Sequence, residues 1–131
     1  MTQPADERSL DDIESADWGD APSDASTMVA RIHELRRVPI GRLSADDVRL
    51  LIGQKVGVHA LLPIAVEHLS REPLLAATFY PGDLLRAVLR IPKAYWEQEA
   101  GLLERLRLLV NSLDEVPSEL EAEVRSFRGE T

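Results

Sequence analysis

The chain has 131 residues, which suits one domain and is too short for two of typical size. Hydrophobic residues make up 44% and charged residues 29%, as in an ordinary globular protein, and the absence of cysteine excludes disulfides, thiolate metal sites and cysteine nucleophiles. The formal net charge of −8 disfavours nucleic-acid binding, which needs concentrated positive charge, and favours a basic partner.

The charge is unevenly distributed along the chain. Residues 1–24 hold eight acids and one base, residues 25–95 hold six acids and ten bases, and residues 96–131 hold nine acids and four bases. We expect residues 1–8 to form a mobile acidic tail and residues 9–131 to form a single helical domain. The N-terminus lacks the basic start and apolar stretch of a secretory signal, so we expect a cytoplasmic protein with no membrane partner.

The first predicted element is a single helical turn. The residues Ser9 to Asp12 have the pattern of a capping box, with Asp in place of the usual Glu. Residues 17–26 follow it and are rich in turn-forming side chains. We expect this segment to be an ordered loop only if Trp18 is buried.

Three helices are predicted in the middle of the chain, over residues 27–38, from Ser44 to about Gly57, and over residues 58–70. In the first, Met28, Ile32 and Leu35 recur at helical spacing and should face the core. The third is apolar nearly all round, which is typical of a helix at the centre of a bundle. Pro63 should either kink this helix or mark its true start.

Three more helices are predicted in the C-terminal part. The first opens with the run Pro81 to Leu85 and ends near Arg90, and the second covers residues 93–112. The third begins with a capping box at Ser118 and ends near Phe127. The second of these should be the longest in the protein, because its leucines form a wide stripe at helical period. No segment alternates at period two for long enough to form a strand. The sequence therefore predicts an all-α, compact single-domain bundle of five to six helices.

Catalytic and metal-binding patterns are missing from the sequence. The three histidines, at positions 33, 59 and 68, have no metal-pair spacing and no well-placed carboxylate partner. There is no phosphate-binding glycine loop and no nucleophile elbow. We expect no catalytic residue, no metal and no cofactor, and hence a protein that is not an enzyme.

Five segments carry a resemblance to a known family: Asp17 to Asp20, Leu35 to Ile40, Asp47 to Gln54, Leu62 to Ala65, and Phe79 to Leu85. In order and spacing, from about residue 9 to Trp96, they resemble the immunity proteins of contact-dependent growth inhibition (CDI) systems. The resemblance implies an all-α fold without catalysis. It also implies that the chain binds and neutralises the toxic C-terminal domain of a cognate effector, a domain thought to be a ribonuclease in part of this family.

We predict that five acids carry the electrostatics of partner binding: Asp17, Asp20, Asp24, Asp83 and Glu97. Nuclease toxins are typically basic, so an acidic surface would attract the toxin domain and no nucleic acid. Asp83 has an alternative role as a helix cap. Two other functions stay open: a helical adaptor or regulatory protein with no toxin partner, and a DNA-binding regulator.

Overall fold

The computed structural model describes residues 7–130, which contain seven α-helices and no strand. The helices are α1 (Leu10–Ile13), α2 (Thr27–Leu35), α3 (Ala45–Gly53), α4 (Val58–Arg71), α5 (Asp83–Leu89), α6 (Ala100–Asn111) and α7 (Glu121–Glu130). Three short 3₁₀ turns lie between them, at Ile40–Arg42, Lys93–Trp96 and Ser118–Leu120. Since six of the α-helices have seven residues or more, the predicted all-α class is confirmed.

Helix α4 is the centre of the fold, as its apolar sequence predicts. It packs against α3, α5 and α6. Its buried side chains are Val58, Leu61, Leu62, Ala65, Val66 and Leu69. A helix buried on several sides cannot have a wide polar face, which is the physical reason for its composition.

The predicted helix starts at Ser9 and Ser44 are confirmed. The Ser44 hydroxyl accepts a hydrogen bond from the backbone N–H of Asp47 at 3.1 Å, and the Asp47 carboxylate accepts from the backbone N–H of Ser44, also at 3.1 Å. Ser9 and Asp12 make the same reciprocal pair at the start of α1. Each pair satisfies two backbone donors that would otherwise have no partner within the helix.

Pro63 neither ends nor starts a helix. Helix α4 begins at Val58, after Gly57 in the left-handed conformation (φ +64°), and passes through Pro63 to Arg71. The exposed position of Pro63 leaves its ring in contact with solvent rather than with the core. The cost is one missing intrahelical donor, which the packing of the buried face of α4 outweighs.

The prediction of one long helix over residues 93–112 is wrong. The chain forms a 3₁₀ turn at Lys93–Trp96, changes direction at Glu99 and starts α6 at Ala100, so that α4, with 14 residues, is the longest helix described. Trp96 is buried, whereas the next residues are polar or small. A straight helix would gain no buried surface over those residues, and the break lets Trp96 reach the core.

Four further details differ from the sequence predictions, the first being that α3 ends at Gly53 rather than near Gly57. Helix α2 ends at Leu35, before the turn that leads to Pro39, and Met28 lies 43% exposed rather than in the core. Ser118 does not cap α7, because it opens a 3₁₀ turn and its hydroxyl bonds the adjacent Glu119 carboxylate at 3.4 Å.

Candidate functional site

Residues 7–26, which we call the N-terminal strap, are fixed to the bundle at several points. The backbone N–H of Ile40 donates to the Arg8 carbonyl at 2.9 Å, and that of Asp11 donates to the Arg36 carbonyl at 3.1 Å. Leu10 is fully buried and lies against Gly57. Of the residues predicted to form a mobile tail, Arg8 makes one of these hydrogen bonds, and residues 1–6 lie outside the described part of the chain.

The strap is organised around Arg36, a cation that is only 1% exposed. Its Nε donates to Asp11 Oδ1 at 2.7 Å, its Nη1 to Glu14 Oε1 at 2.6 Å, and its Nη2 to the Ala16 carbonyl at 3.3 Å. A buried cation is tolerated only when paired and hydrogen-bonded in this way. Three positions of the strap are thereby attached to one residue of the bundle.

Trp18 is a further contact between the strap and the bundle, although its side chain is not buried. The Arg36 guanidinium lies over its ring, 4.1 Å from the centroid, and the ring of His33 meets it edge-on at 5.5 Å. His33 Nδ1 lies 3.1 Å from the Gly19 carbonyl. Trp18 stays 46% exposed, so the expectation that burial is required to order this loop is wrong. Cation–π contact and hydrogen bonds order it instead.

Three of the predicted partner-binding acids lie on the exposed surface of the strap. Asp17 accepts a hydrogen bond from the backbone N–H of Gly19 at 2.8 Å, and Asp20 pairs with Arg37 at 3.0 Å while its side chain stays 92% exposed. Asp24 lies exposed in the turn before α2. These carboxylates point to solvent, whereas Asp11 and Glu14 face Arg36.

Asp83 is placed differently from the prediction. It is 5% exposed, and its two carboxylate oxygens accept the backbone N–H groups of Ala77, Thr78 and Phe79 at 2.7, 2.9 and 2.7 Å. Burial by itself would raise the pKa of Asp83, but these backbone hydrogen bonds outweigh it and lower the pKa below its ordinary value. Asp83 therefore holds the loop that precedes α5.

The fifth predicted residue, Glu97, lies exposed directly after the 3₁₀ turn that buries Trp96. Its side chain forms no ion pair in the described part of the protein. The structure thus groups Asp17, Asp20 and Asp24 on one segment, and Glu97 belongs to another.

An apolar patch that the sequence analysis missed lies next to these acids. Met28 and Val29, in the first turn of α2, are 43% and 38% exposed, and Val29 lies one turn before His33, which contacts Trp18. Aromatic and apolar side chains surrounded by charge are typical of protein-binding surfaces. The helical spacing of Met28 with Ile32 and Leu35 predicts a core position. No signal in the sequence shows that Met28 instead faces solvent.

Other kinds of site are not apparent in residues 7–130. No group of three or more His, Asp or Glu side chains there could hold a metal ion. His59 lies against the Tyr95 ring at 5.2 Å, and burial lowers the pKa of His68, with a further contribution from the charge of Arg71. Over the same range, no helix is long and apolar enough to cross a membrane.

Comparison with known proteins agrees with the resemblance seen in the sequence. A search of curated proteins finds no match to the chain. Residues 12–106, well over half of the sequence and including the exposed acids of the strap, match the family model described as CDI immunity proteins. The chain therefore belongs to the family of CDI immunity proteins.

Proposed function

We propose that this protein binds the toxic C-terminal domain of a cognate CDI effector in the cytoplasm and neutralises it without catalysis. Family membership supports the immunity role. The toxin partner is proposed to be a basic domain that acts as a ribonuclease. A basic domain suits RNA cleavage, because its substrate is a polyanion.

The exposed face of the strap is the observation that supports a toxin-binding surface there. It combines Asp17, Asp20 and Asp24 with the half-exposed ring of Trp18 on a segment that Arg36 fixes in place. Exposed acids attract a basic partner from a distance, and an aromatic side chain supplies short-range contact energy. Because the segment is already ordered, binding loses little conformational entropy.

The direct test uses the full chain and the C-terminal domain of a candidate CDI effector. Cells that express the toxin domain should survive only when they also express this protein, and the two purified proteins should form a stable complex. Total RNA should be degraded by the toxin alone and stay intact when the complex is formed first. Absence of both a complex and protection would contradict the immunity function. Intact RNA with a toxin that still kills would remove only the ribonuclease part.

A nucleic-acid partner is tested in the same set of experiments. The protein should pass through a heparin column at low salt, because its net charge is −8. Firm retention on heparin, together with failure to bind the toxin domain, would favour a DNA-binding regulator instead.

A further inference from the structure

The charged residues that line a groove beside α3 are mainly basic, although the chain as a whole is acidic. It has a volume of about 580 Å³ and lies between α3, the turn after it and α5. Four bases line it, Arg49, Lys55, Arg86 and Arg90, against one acid, Asp83. We call these residues, with Phe79 at the edge, the basic groove. In a chain with 23 acids and 15 bases, such a lining is the reverse of the overall composition.

Three of these four bases, Arg49, Lys55 and Arg90, form no ion pair within residues 7–130, and Arg49 donates instead to the neutral Thr78 hydroxyl. Arg86 pairs with Glu123 at 2.9 Å and donates to the Tyr80 hydroxyl at 3.0 Å, so its charge joins α5 to α7. Lys55 and Arg90 are exposed. The hydrogen bond from Arg86, and to a smaller extent the charge of Arg90, lower the pKa of Glu123, so in the same part of the chain Arg90 is partly compensated and Lys55 is not. The single acid of the lining, Asp83, is committed to three backbone N–H groups. The groove thus has positive charge available to a ligand.

Phe79 adds an exposed apolar contact to this charge. Its side chain is 72% exposed, and the Arg49 guanidinium lies over its ring at 4.8 Å. The loop that carries it is fixed by Asp83 on one side and by the Thr78 hydroxyl on the other, which accepts from Arg49 at 2.6 Å and donates to the Asp46 carboxylate. Leaving a phenylalanine in water is unfavourable, so a rigid loop that exposes one is typical of a preformed binding anchor.

The groove continues into a second cavity. This cavity has a volume of about 480 Å³ and shares Arg86, Arg90 and Ile91 with the basic groove. Lys93 and Trp96 also line it. Arg90 lies at the junction, so an extended ligand could pass from Phe79 across Arg90 to an apolar site beside Trp96.

We propose that the basic groove is a second contact surface for the toxin domain and binds a segment of that domain with both acidic and apolar side chains. Carboxylates of the segment pair with Lys55 and Arg90, and an apolar side chain packs on Phe79. The inference rests on the proposed function. It adds a second contact surface, which is basic where the strap is acidic. Opposite charges on two surfaces fix the orientation of a partner more strongly than one acidic face can.

A nucleic-acid strand fits these observations less well. Its phosphates repeat along the whole strand, so a strand longer than the groove and the adjoining cavity would extend over a protein whose net charge is −8. A protein segment carries its negative charge only locally. The rest of a basic toxin domain would be attracted to the same acidic surface that repels a nucleic acid.

The test compares two double variants with the same change in net charge. K55Q/R90Q removes the two exposed cations of the groove, and R42Q/R125Q removes two exposed arginines that do not line it. Because both variants alter long-range attraction to the same extent, a difference between them reports local contact. We expect K55Q/R90Q to raise the dissociation rate of the toxin complex about tenfold, and R42Q/R125Q to change it less than about twofold. F79A should raise the dissociation rate to a similar extent as K55Q/R90Q.

Three outcomes separate this inference from the proposed function. If the toxin domain binds the wild type and both double variants equally, the basic groove is not a contact surface and the immunity function stands. If the toxin domain does not bind the wild type, both proposals fail. If a twelve-nucleotide single-stranded RNA binds the wild type but not K55Q/R90Q, while toxin binding is unchanged, the groove is a nucleic-acid site and the inference is overturned. Circular dichroism and urea unfolding of each variant confirm that the fold is intact.

Discussion

The guanidinium of Arg36 lies 4.1 Å from the centroid of the Trp18 ring, with the buried cation on the inner side and the half-exposed indole on the outer side. This stacking joins the core of the bundle to its proposed binding face. The Arg36 guanidinium also forms ion pairs with Asp11 and Glu14. One side chain therefore holds both the first part of the strap and the segment at Trp18. Arg36 thus adds a side-chain attachment for the strap to the backbone hydrogen bonds and the buried Leu10.

Replacing Arg36 should release the strap. Arg36→Met keeps a long apolar stem but leaves Asp11 and Glu14 without their cation, so we expect the free energy of unfolding to fall by about 3 kcal/mol. Hydrogen exchange should show loss of protection in residues 7–20 and retained protection in α4. The matched control is Arg37→Met, which breaks only the exposed pair with Asp20 and should cost less than about 1 kcal/mol. Equal costs for the two variants would contradict a central role for Arg36.

Neutralising the exposed acids of the strap should slow toxin binding. We expect D17N/D20N/D24N to lower the association rate roughly tenfold at low salt, with a much smaller change in the dissociation rate. The wild-type association rate should also fall as salt rises, since exposed charges are screened beyond roughly 10 Å at 0.1 M. A control with the same change in charge is D114N/E115Q/E121Q, three exposed acids far along the chain. Equal stopped-flow rates for both triples would show that the attraction is not localised on the strap, and rates insensitive to salt would remove the electrostatic argument. Either result leaves the immunity function intact.

Trp18 should contribute to the lifetime of the complex rather than to its formation. Trp18→Ala removes the half-exposed ring, and we expect the dissociation rate of the toxin complex to rise by about tenfold or more. Trp18→Phe keeps an aromatic ring beside Arg36 and should recover part of the loss. Leu108→Ala is the control, because Leu108 is a 64% exposed apolar residue on α6, away from the strap. An effect of Leu108→Ala as large as that of Trp18→Ala would indicate that the interface lies elsewhere.

Asp83 should make stability depend on pH. Its folded-state pKa is lowered, so its contribution to stability is present above the unfolded pKa of about 3.9 and is lost as pH falls through the lower folded pKa. Asp83→Asn replaces one acceptor oxygen with a donor facing backbone N–H groups and should cost about 2 kcal/mol at pH 7.

Urea unfolding at several pH values checks this prediction. The difference in stability between wild type and Asp83→Asn should shrink steadily as pH falls from 5 towards 2. Glu97→Gln, an exposed change of the same kind, should cost less than about 0.5 kcal/mol at pH 7. A difference that stays constant over the whole pH range would show that the ionised carboxylate of Asp83 does not stabilise the loop.

Two glycines should respond to alanine in opposite directions. Gly57 has φ +64°, and a Cβ there would lie 2.6 Å from Leu10 Cδ2, so Gly57→Ala should cost about 2 kcal/mol and displace α1. Gly53 ends α3 with open space around its Cα, so Gly53→Ala should raise stability by about 0.5 kcal/mol. Thermal unfolding measures both. A Gly57→Ala variant as stable as the wild type would contradict the packing of Leu10 on the start of α4.

The elements that depend on neighbours in sequence were predictable. Ser9 and Ser44 cap their helices because a cap needs only the next three residues, and the apolar surface of α4 is visible in its composition alone. The all-α class follows from such local signals repeated along the chain. The exposed acids Asp17, Asp20 and Asp24 were found in the same way, since a turn-rich acidic loop rarely buries its charges.

The remaining features depend on residues far apart in sequence, which only the tertiary structure brings together. Trp18 is ordered by Arg36, 18 positions later, and the bases of the groove come from α3, the turn after it and α5. Asp83 is not an exposed acid, because a loop four to six residues before it folds back to donate three hydrogen bonds. Local sequence sets the period and ends of a helix, whereas the surroundings of a charge depend on how helices pack, and packing energy is shared by contacts that no short segment contains.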